Sequence, residues 1–226
     1  MTHTVELCHA FVLHSRPYRE KSRLVELWTM EHGRISGVMR QHVPPLFQPC
    51  LVAWRGKNTL KTISQCECIG LPLMLVGDAT FAGFYLNELL VRLLALEEPQ
   101  IELFALYTES LAQLNQRELL EPVLRRFERG LLGTLGYAFN FHHDVTGQAI
   151  LADKSYFYYP EEGFVVAHSP APESWQGRAL LAIAQEDFSL SSTRQTAKLI
   201  LRRALAQQLG TKPLKSRELW QRGHHE

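Results

Sequence analysis

The stretch LPLMLVGDATFAGFYLNELLVRL, Leu71 to Leu93, changes its hydrophobic period at Asp78. Before it, apolar residues come in short runs punctuated by turn signals. After it, Phe81, Tyr85, Leu89 and Leu93 recur every four residues, which is the spacing of one helical face. Asp78 is placed to cap that helix. The chain therefore reads as strands first and helices afterwards, an α+β protein with its boundary at 77/78.

Upstream of that boundary the runs at 7–13, 22–30, 34–39, 51–54 and 59–63 are short and rich in β-branched or aromatic residues. Ser15-Arg16-Pro17 reads as a turn, Pro44-Pro45 breaks the pattern, and Arg55-Gly56-Lys57-Asn58 is a hairpin signal. About five strands in so short a span suggest a small closed or partly closed barrel, with a sandwich as the other solution. Downstream, helices are expected at 101–113, from Glu121 to Gly136, at 175–185, and at 193–209, the last opened by Ser191 or Ser192 and stopped by Gly210. Between Tyr137 and Pro172 a small irregular hairpin is expected, with strands at 156–159 and 164–167. A basic tail, KPLKSRELW, follows.

The 226 residues are 46% hydrophobic, enough for a real core, and carry a net charge of +1. The longest charge-free apolar run, Cys68 to Gly77, covers ten residues, against about 20 for a membrane-crossing helix. No secretory signal is visible at MTHTVELCHAF, so the four cysteines read as free thiols in a reducing cytosol. The small net charge hides segregation. Between Arg16 and Lys61 nine basic residues meet three acids, between Phe81 and Ile150 five meet nine, and between Arg194 and Arg222 eight meet one. Two basic ends flank an acidic middle, a pattern that attracts polyanions or acidic peptides, although any one such patch is more often a solvated face.

Catalytic motifs are missing: no Walker A loop, no G-x-S-x-G elbow and no HEXXH pair. Gly130, Gly133 and Gly136 fall inside a helical pattern and read as packing or a helix end rather than a nucleotide loop. Cys66 and Cys68 share a strand face and, with Cys8 or Cys50, make an incomplete zinc set that reads as ordinary buried thiols. His142, His143 and Asp144 form a second incomplete set, in a loop. His224 and His225 carry no argument. No metal and no cofactor are expected.

What remains is binding. A small barrel with nine basic residues suits phosphate contact, and Tyr18 or Trp54 is available to stack on bases. Trp28, set among Leu24, Leu27 and Met30, reads as core. On the last long helix Lys198 and Arg202 sit one turn apart, opposite Leu201, Leu205 and Leu209. Arg125, Arg126 and Arg129 flank Phe127 on an earlier helix, where some are expected to pair with carboxylates such as Glu121. An arginine beside an apolar groove suits a peptide that ends in an aromatic residue and a free carboxylate.

Four segments in order, FVLHSRPY (Phe11 to Tyr18), FYLNELLVRLL (Phe84 to Leu94), LRRFERGLLGTLGY (Leu124 to Tyr137) and KPLKSREL (Lys212 to Leu219), resemble the RecO family of bacterial recombination mediators. The resemblance implies an N-terminal OB-fold β-barrel over 1–77 and a mostly α-helical C-terminal domain over 78–226. That second domain would hold a zinc-free insert at about 137–172 and end in a basic helix and tail. It implies a non-enzymatic protein that binds single- and double-stranded DNA and anneals complementary strands. With RecR, such a protein helps load RecA on strands coated by the single-stranded-DNA-binding protein SSB, and it grips the acidic, phenylalanine-ended SSB tail.

On that reading Arg16, Arg19, Lys21, Arg34, Arg40, Lys57, Lys61, Lys212, Lys215 and Arg217 contact DNA. Arg125, Arg126, Phe127, Lys198, Arg202 and Leu205 receive the SSB tail. The chain would be cytoplasmic and nucleoid-associated, a monomer, and without membrane contact. Two departures from the family pattern stand out. The loop after Arg40 (Gln41-His42-Val43-Pro44-Pro45) has hardly any positive charge, and the 137–172 segment lacks the four zinc-binding cysteines of some relatives. The competing functions are a protein-interaction adaptor that binds the SSB tail with little DNA binding, and a metal-dependent hydrolase built on His142, His143 and Asp144.

Overall fold

A computed structural model describes residues 6–40, 42–116, 118–169 and 171–223. Gln41, His224 and His225, named above, lie outside the described residues. Residues group into two compact units, Met1–Glu118 with Pro213–Glu226, and Leu119–Lys212.

The first unit contains a closed barrel of β1 (Cys8–Tyr18), β2 (Ser22–Thr29), β3 (Gly33–Met39), β4 (Pro49–Arg55) and β5 (Leu60–Cys68), in the order β1-β2-β3-β5-β4. β3 and β5 pair in parallel and the other neighbours are antiparallel, so no strand edge is left open. Alternate residues Ala10, Val12, Val25, Leu27, Ile35, Val52, Trp54 and Ile63 fill the interior. Trp54 is part of that filling and is not displayed for base stacking. Ser15-Arg16-Pro17 is not a turn: β1 runs through it to Tyr18, with a shift in register between Val12 and His14.

The other face of β1 and β2 is also buried. Phe11 and Trp28 meet Phe104 and Tyr107, with ring centroids 5.1–5.6 Å apart. The last two belong to α2 (Ile101–Asn115). Asn87, on α1 (Asp78–Leu93), donates to the Leu13 carbonyl at 3.0 Å and accepts from the Tyr107 hydroxyl at 2.6 Å. Gly77, at φ 56°, holds the N-cap position of α1, and Asp78 is its first helical residue.

The basic tail is a helix, α6 (Lys215–Gly223), packed on α1 through Trp220 against Phe81. Its start is capped from 127 residues away in the sequence: Glu88 accepts from the Lys215 amide at 2.9 Å, the Ser216 amide at 2.8 Å and the Ser216 hydroxyl at 2.7 Å. A carboxylate at this end also faces the positive pole of the helix.

The second unit contains α3 (Leu120–Thr134), a sheet ordered β7-β6-β8, α4 (Gly177–Ala184) and α5 (Ser191–Leu209). The hairpin is β6 (Ser155–Tyr159) with β7 (Gly163–Ala167), and β8 is the pair Trp175–Gln176. Helix α4 thus begins later than periodicity predicts. Gly177 donates to the Lys154 carbonyl at 2.8 Å, and a Cβ there would sit 2.0 Å from the Leu151 oxygen. Leu190, rather than Ser191 or Ser192, is the N-cap of α5. Gly136, at φ 81°, follows α3, where the Tyr137 amide reaches back to the Leu132 carbonyl at 2.8 Å. Phe139, Phe141, Tyr158 and Phe164 form an aromatic cluster beside the sheet.

Removing the distant cap tests how α6 is held. Glu88→Ala is expected to lower stability by about 1–2 kcal/mol in urea unfolding. Glu88→Gln, which keeps an acceptor, is expected to recover part of it.

Candidate nucleic-acid and peptide surfaces

The barrel's basic residues divide into two groups. Arg16, Arg19 and Lys21 are exposed at the β1–β2 end, Arg40 is exposed just past β3, and Arg55 and Lys57 are exposed at the β4–β5 hairpin. None of these six forms an ion pair among the described residues. The Arg19 guanidinium lies over the half-buried Tyr18 ring, 5.2 Å from its centroid. In five-stranded barrels of this type the loops joining strands 1 to 2 and 4 to 5 flank the ligand-binding face. Here both loops carry unpaired positive charge.

Arg34 and Lys61 belong to the other group. Arg34 donates to Glu26 at 2.7 Å and to the Leu94 carbonyl at 3.1 Å. Lys61 is 4% exposed and meets Glu97 at 2.8 Å. The backbone also joins in, since the Glu97 amide donates to the Arg34 carbonyl at 2.9 Å. Residues 94–98 therefore lie across β3 and β5 as a strap. Gly33 makes room for it at φ +71°, because a Cβ would come 2.2 Å from the Glu98 oxygen. Arg34 and Lys61 hold the fold together, and phosphate would have to displace those partners to reach them.

On α6, Lys215 is exposed while Arg217 is half-buried over the Tyr85 ring at 5.5 Å. Lys212, at the end of the second unit, is exposed.

In the second unit the residues expected to take a peptide also separate. Phe127 and Leu205 are fully buried. Arg125 is buried against Glu128 at 2.9 Å, and its Nε and Nη1 have no hydrogen-bond partner among the described residues. Arg126, Lys198 and Arg202 are half-exposed. Arg126 pairs with Glu186 at 3.1 Å, while Lys198 and Arg194 share Glu121 at 3.7 and 3.3 Å. That shared carboxylate draws together the starts of α3 and α5, whose N-cap residues Leu119 and Leu190 are 71% and 62% exposed. Sequence reasoning missed this apolar pair because a leucine ahead of a helix reads as core. A cleft of about 370 Å³ in this unit is lined by Tyr137, Phe139, Tyr158, Pro160 and Gln207 among others, and by none of the six expected residues. Burial pushes the Tyr158 hydroxyl up to about 12.

Among the described residues no three His, Cys, Asp or Glu are arranged to hold a metal ion. Cys66 is half-buried and Cys68 exposed, so they are not the buried thiols expected. Asp144 instead organises its own loop. One of its oxygens accepts from the Thr146 hydroxyl at 2.6 Å and from the amides of Thr146 and Gln148 at 2.9 and 3.0 Å. His143 meets Asn140 at 3.1 Å.

Family models now match the two parts of this architecture in order. Recombination protein O N terminal covers residues 1–72, and recombination protein O C terminal covers residues 75–218. The chain belongs to the RecO family. The DNA repair protein RecO of Pseudomonas paraeruginosa (strain DSM 24068 / PA7) is 43% identical over 93% of this chain and 92% of its own length. That of Pseudomonas putida (strain W619) is 43% identical over 94% and 96%. That of Coxiella burnetii (strain CbuG_Q212) is 40% identical over 97% and 99%. A role in DNA repair and recombination follows from membership of the RecO family. Among the described residues no helix is long and apolar enough to cross a membrane.

The Asp144 loop gives a pH test with a definite sign. Hydrogen bonds, first that of the Thr146 hydroxyl, hold the Asp144 carboxyl below its ordinary value. Its contribution to stability is therefore present above the ordinary carboxylate range and lost as pH falls through the depressed value. Asp144→Ala is expected to lower stability at neutral pH and to flatten this part of the acid limb in pH-dependent unfolding.

Proposed function

We propose that this RecO-family protein acts as a non-enzymatic mediator. In this reading it binds DNA through the barrel, anneals complementary strands and, with RecR, helps load RecA onto SSB-coated strands. The observation that carries the reading is the set of exposed cations without an ion-pair partner among the described residues at the two barrel loops, Arg16, Arg19, Lys21, Arg55 and Lys57, with Arg40 just past β3. Their positions match the loop pair that flanks the binding face of such barrels. Lys212 of the second unit and Lys215 on α6 add exposed positive charge, and Arg217 on α6 is half-buried. Lysine and arginine here neutralise phosphates and release counterions, so affinity follows salt. Tyr18, with Arg19 stacked on it, is the aromatic surface available to a base.

The second unit receives the SSB tail in the same reading. Arg126, Lys198 and Arg202, with Arg194, supply charge for an acidic peptide. Leu119 and Leu190 supply an apolar seat beside the Glu121 pairs. Arg125, Phe127 and Leu205 support that surface from inside. The partner would compete with Glu121 and Glu186 for the same cations, which favours reversible binding.

One observation favours the adaptor reading instead. Two of the expected barrel contacts, Arg34 and Lys61, are occupied by Glu26 and Glu97. A barrel so reduced would bind DNA weakly and leave the peptide surface as the working part.

Fluorescence anisotropy separates the two. For the mediator, affinity for a single-stranded oligonucleotide is expected to fall with salt. The double variant Arg19→Glu/Lys57→Glu is expected to lower the log–log slope by about 0.7 for each phosphate no longer neutralised. Salt-independent binding, or no effect of the double variant, would support the adaptor.

For the tail, Lys198→Glu/Arg126→Glu is expected to weaken binding of an acidic phenylalanine-ended peptide by at least tenfold, or about 1.4 kcal/mol. Tyr137→Ala, in the separate cleft, is expected to leave it unchanged. The reverse pattern would move the peptide to that cleft.

A further inference from the structure

The cleft of about 370 Å³ in the second unit lies within the size range of small-ligand sites and takes no part in the surfaces described above. Three elements form its rim: the turn that ends α3, the β6–β7 hairpin turn and the last turn of α5. The first turn is fixed by two backbone hydrogen bonds, from the Gly136 amide to the Gly133 carbonyl at 3.0 Å and from the Tyr137 amide to the Leu132 carbonyl at 2.8 Å. They hold Tyr137 just outside the helix, where it is 42% exposed. The hairpin turn is closed by the Glu162 amide on the Tyr159 carbonyl at 3.2 Å. Phe139 is half-buried, its ring centroid 4.9 Å from that of Tyr158 and 5.0 Å from that of Phe141. The aromatic wall is therefore in place before any ligand arrives.

The polar groups lining this cleft are not spent within the protein. Tyr158 is 3% exposed, yet its hydroxyl has no hydrogen-bond partner among the described residues. Burial pushes that hydroxyl up to about 12, so it is a donor at neutral pH. The side chains of Gln207 and Gln208, on α5, and of Glu161, on the hairpin turn, are likewise without a partner among the described residues. Arg203 is exposed one turn before Gln207 and forms no ion pair among the described residues. It is close enough for its charge to act on the Tyr158 hydroxyl.

We propose that this cleft receives an unpaired nucleobase of a single DNA strand, stacked on Tyr137 and Phe139, with its polar edge on Tyr158, Gln207 and Gln208 and the adjoining phosphate on Arg203. Aromatic rings accept any base by stacking. Carboxamides both donate and accept, as a base edge requires, and the Glu161 carboxylate accepts from a ring N–H. A phenylalanine side chain would fill the aromatic part of the cleft and leave these polar groups unpaired. A base already paired in a duplex offers neither a free face nor a free edge, which restricts the cleft to single strands. This site rests on the mediator reading, since DNA must be a ligand of the protein, and it adds a base contact outside the barrel.

Two strands of equal length, one of thymidines and one abasic, separate base from phosphate contacts in fluorescence anisotropy. Tyr137→Ala is expected to weaken binding of the thymidine strand by about fivefold or more and to leave the abasic strand unchanged. Tyr158→Phe, which removes only the hydroxyl, is expected to weaken the thymidine strand alone. The barrel variant Arg19→Glu/Lys57→Glu is expected to weaken both strands. With one 5-iododeoxyuridine in the thymidine strand, ultraviolet irradiation is expected to cross-link the base to Tyr137 or Phe139, within the tryptic peptide 130–154. Unchanged thymidine binding by Tyr137→Ala, an equal loss on the abasic strand, or cross-links in the barrel alone would overturn the cleft assignment and leave the barrel reading standing. A Tyr137→Ala effect without any effect of the barrel variant would support the cleft and overturn the barrel contacts. Failure of the wild-type protein to bind either strand would overturn both. Loss of the acidic phenylalanine-ended peptide in Tyr137→Ala would give the cleft to the peptide and overturn the nucleobase.

Discussion

The first unit rests on the double burial of β1. A strand that faces a barrel interior on one side and water on the other needs apolar residues only at alternate positions. Here Ala10 and Val12 point inward while Phe11 and Leu13 are equally buried on the outside, together with Trp28 from β2. Something must cover that outer face, and Phe104 and Tyr107 of α2 do so. Each aromatic side chain so placed contributes on the order of 2–3 kcal/mol by leaving water. Asn87 then satisfies a β1 carbonyl and the Tyr107 hydroxyl, which would otherwise be costly to bury. The helices around the barrel are as much part of its core as the strands.

This arrangement decides what the positive charges can do. A cation near the start of β3 or β5 sits under the strap at 94–98 and is claimed by Glu26 or Glu97. Turn residues escape such cover. The nine basic residues of the barrel segment are therefore not nine equivalent contacts. In the second unit the same partition runs across one helix: Arg125 faces inward against Glu128, and its neighbour Arg126 faces a surface carboxylate.

Much of the architecture was legible because local signals agreed with the final packing. The change of period at Asp78, the hairpin at Gly56 and the glycine ending α3 all act within a few residues. Failures arose where the deciding partner was remote. Ser15-Arg16-Pro17 resembles a turn but is drawn into β1 by pairing with β2. The stretch from Lys215 reads as a polar tail, because its cap is a carboxylate on α1. Trp175 looks helical until β6 takes it as a partner. At the sites, sequence revealed which residues are charged but not which face of α3 or α5 is turned inward, so Phe127 and Leu205 were expected at a surface they only support. The thiols were legible as types, whereas their burial, full at Cys8 and Cys50 and lost at Cys68, is set by where each falls on its strand. Within the 137–172 segment, Asp144 and an aromatic cluster give the loop its order from side chains that carry no metal signature.

The cap that Glu88 places on α6 also bears on the order in which the protein can be completed. The second unit lies, in sequence, between α2 and the helix that finishes the first. On a ribosome the barrel, α1 and α2 emerge early, yet the face of α1 that receives Phe81's partner and the cap remains uncovered until residues 213–223 have been made. The inserted unit can close on itself in the interval. The unit whose synthesis starts first of the two is thus the last to be finished, and removal of residues 213–223 would injure the unit that holds the barrel.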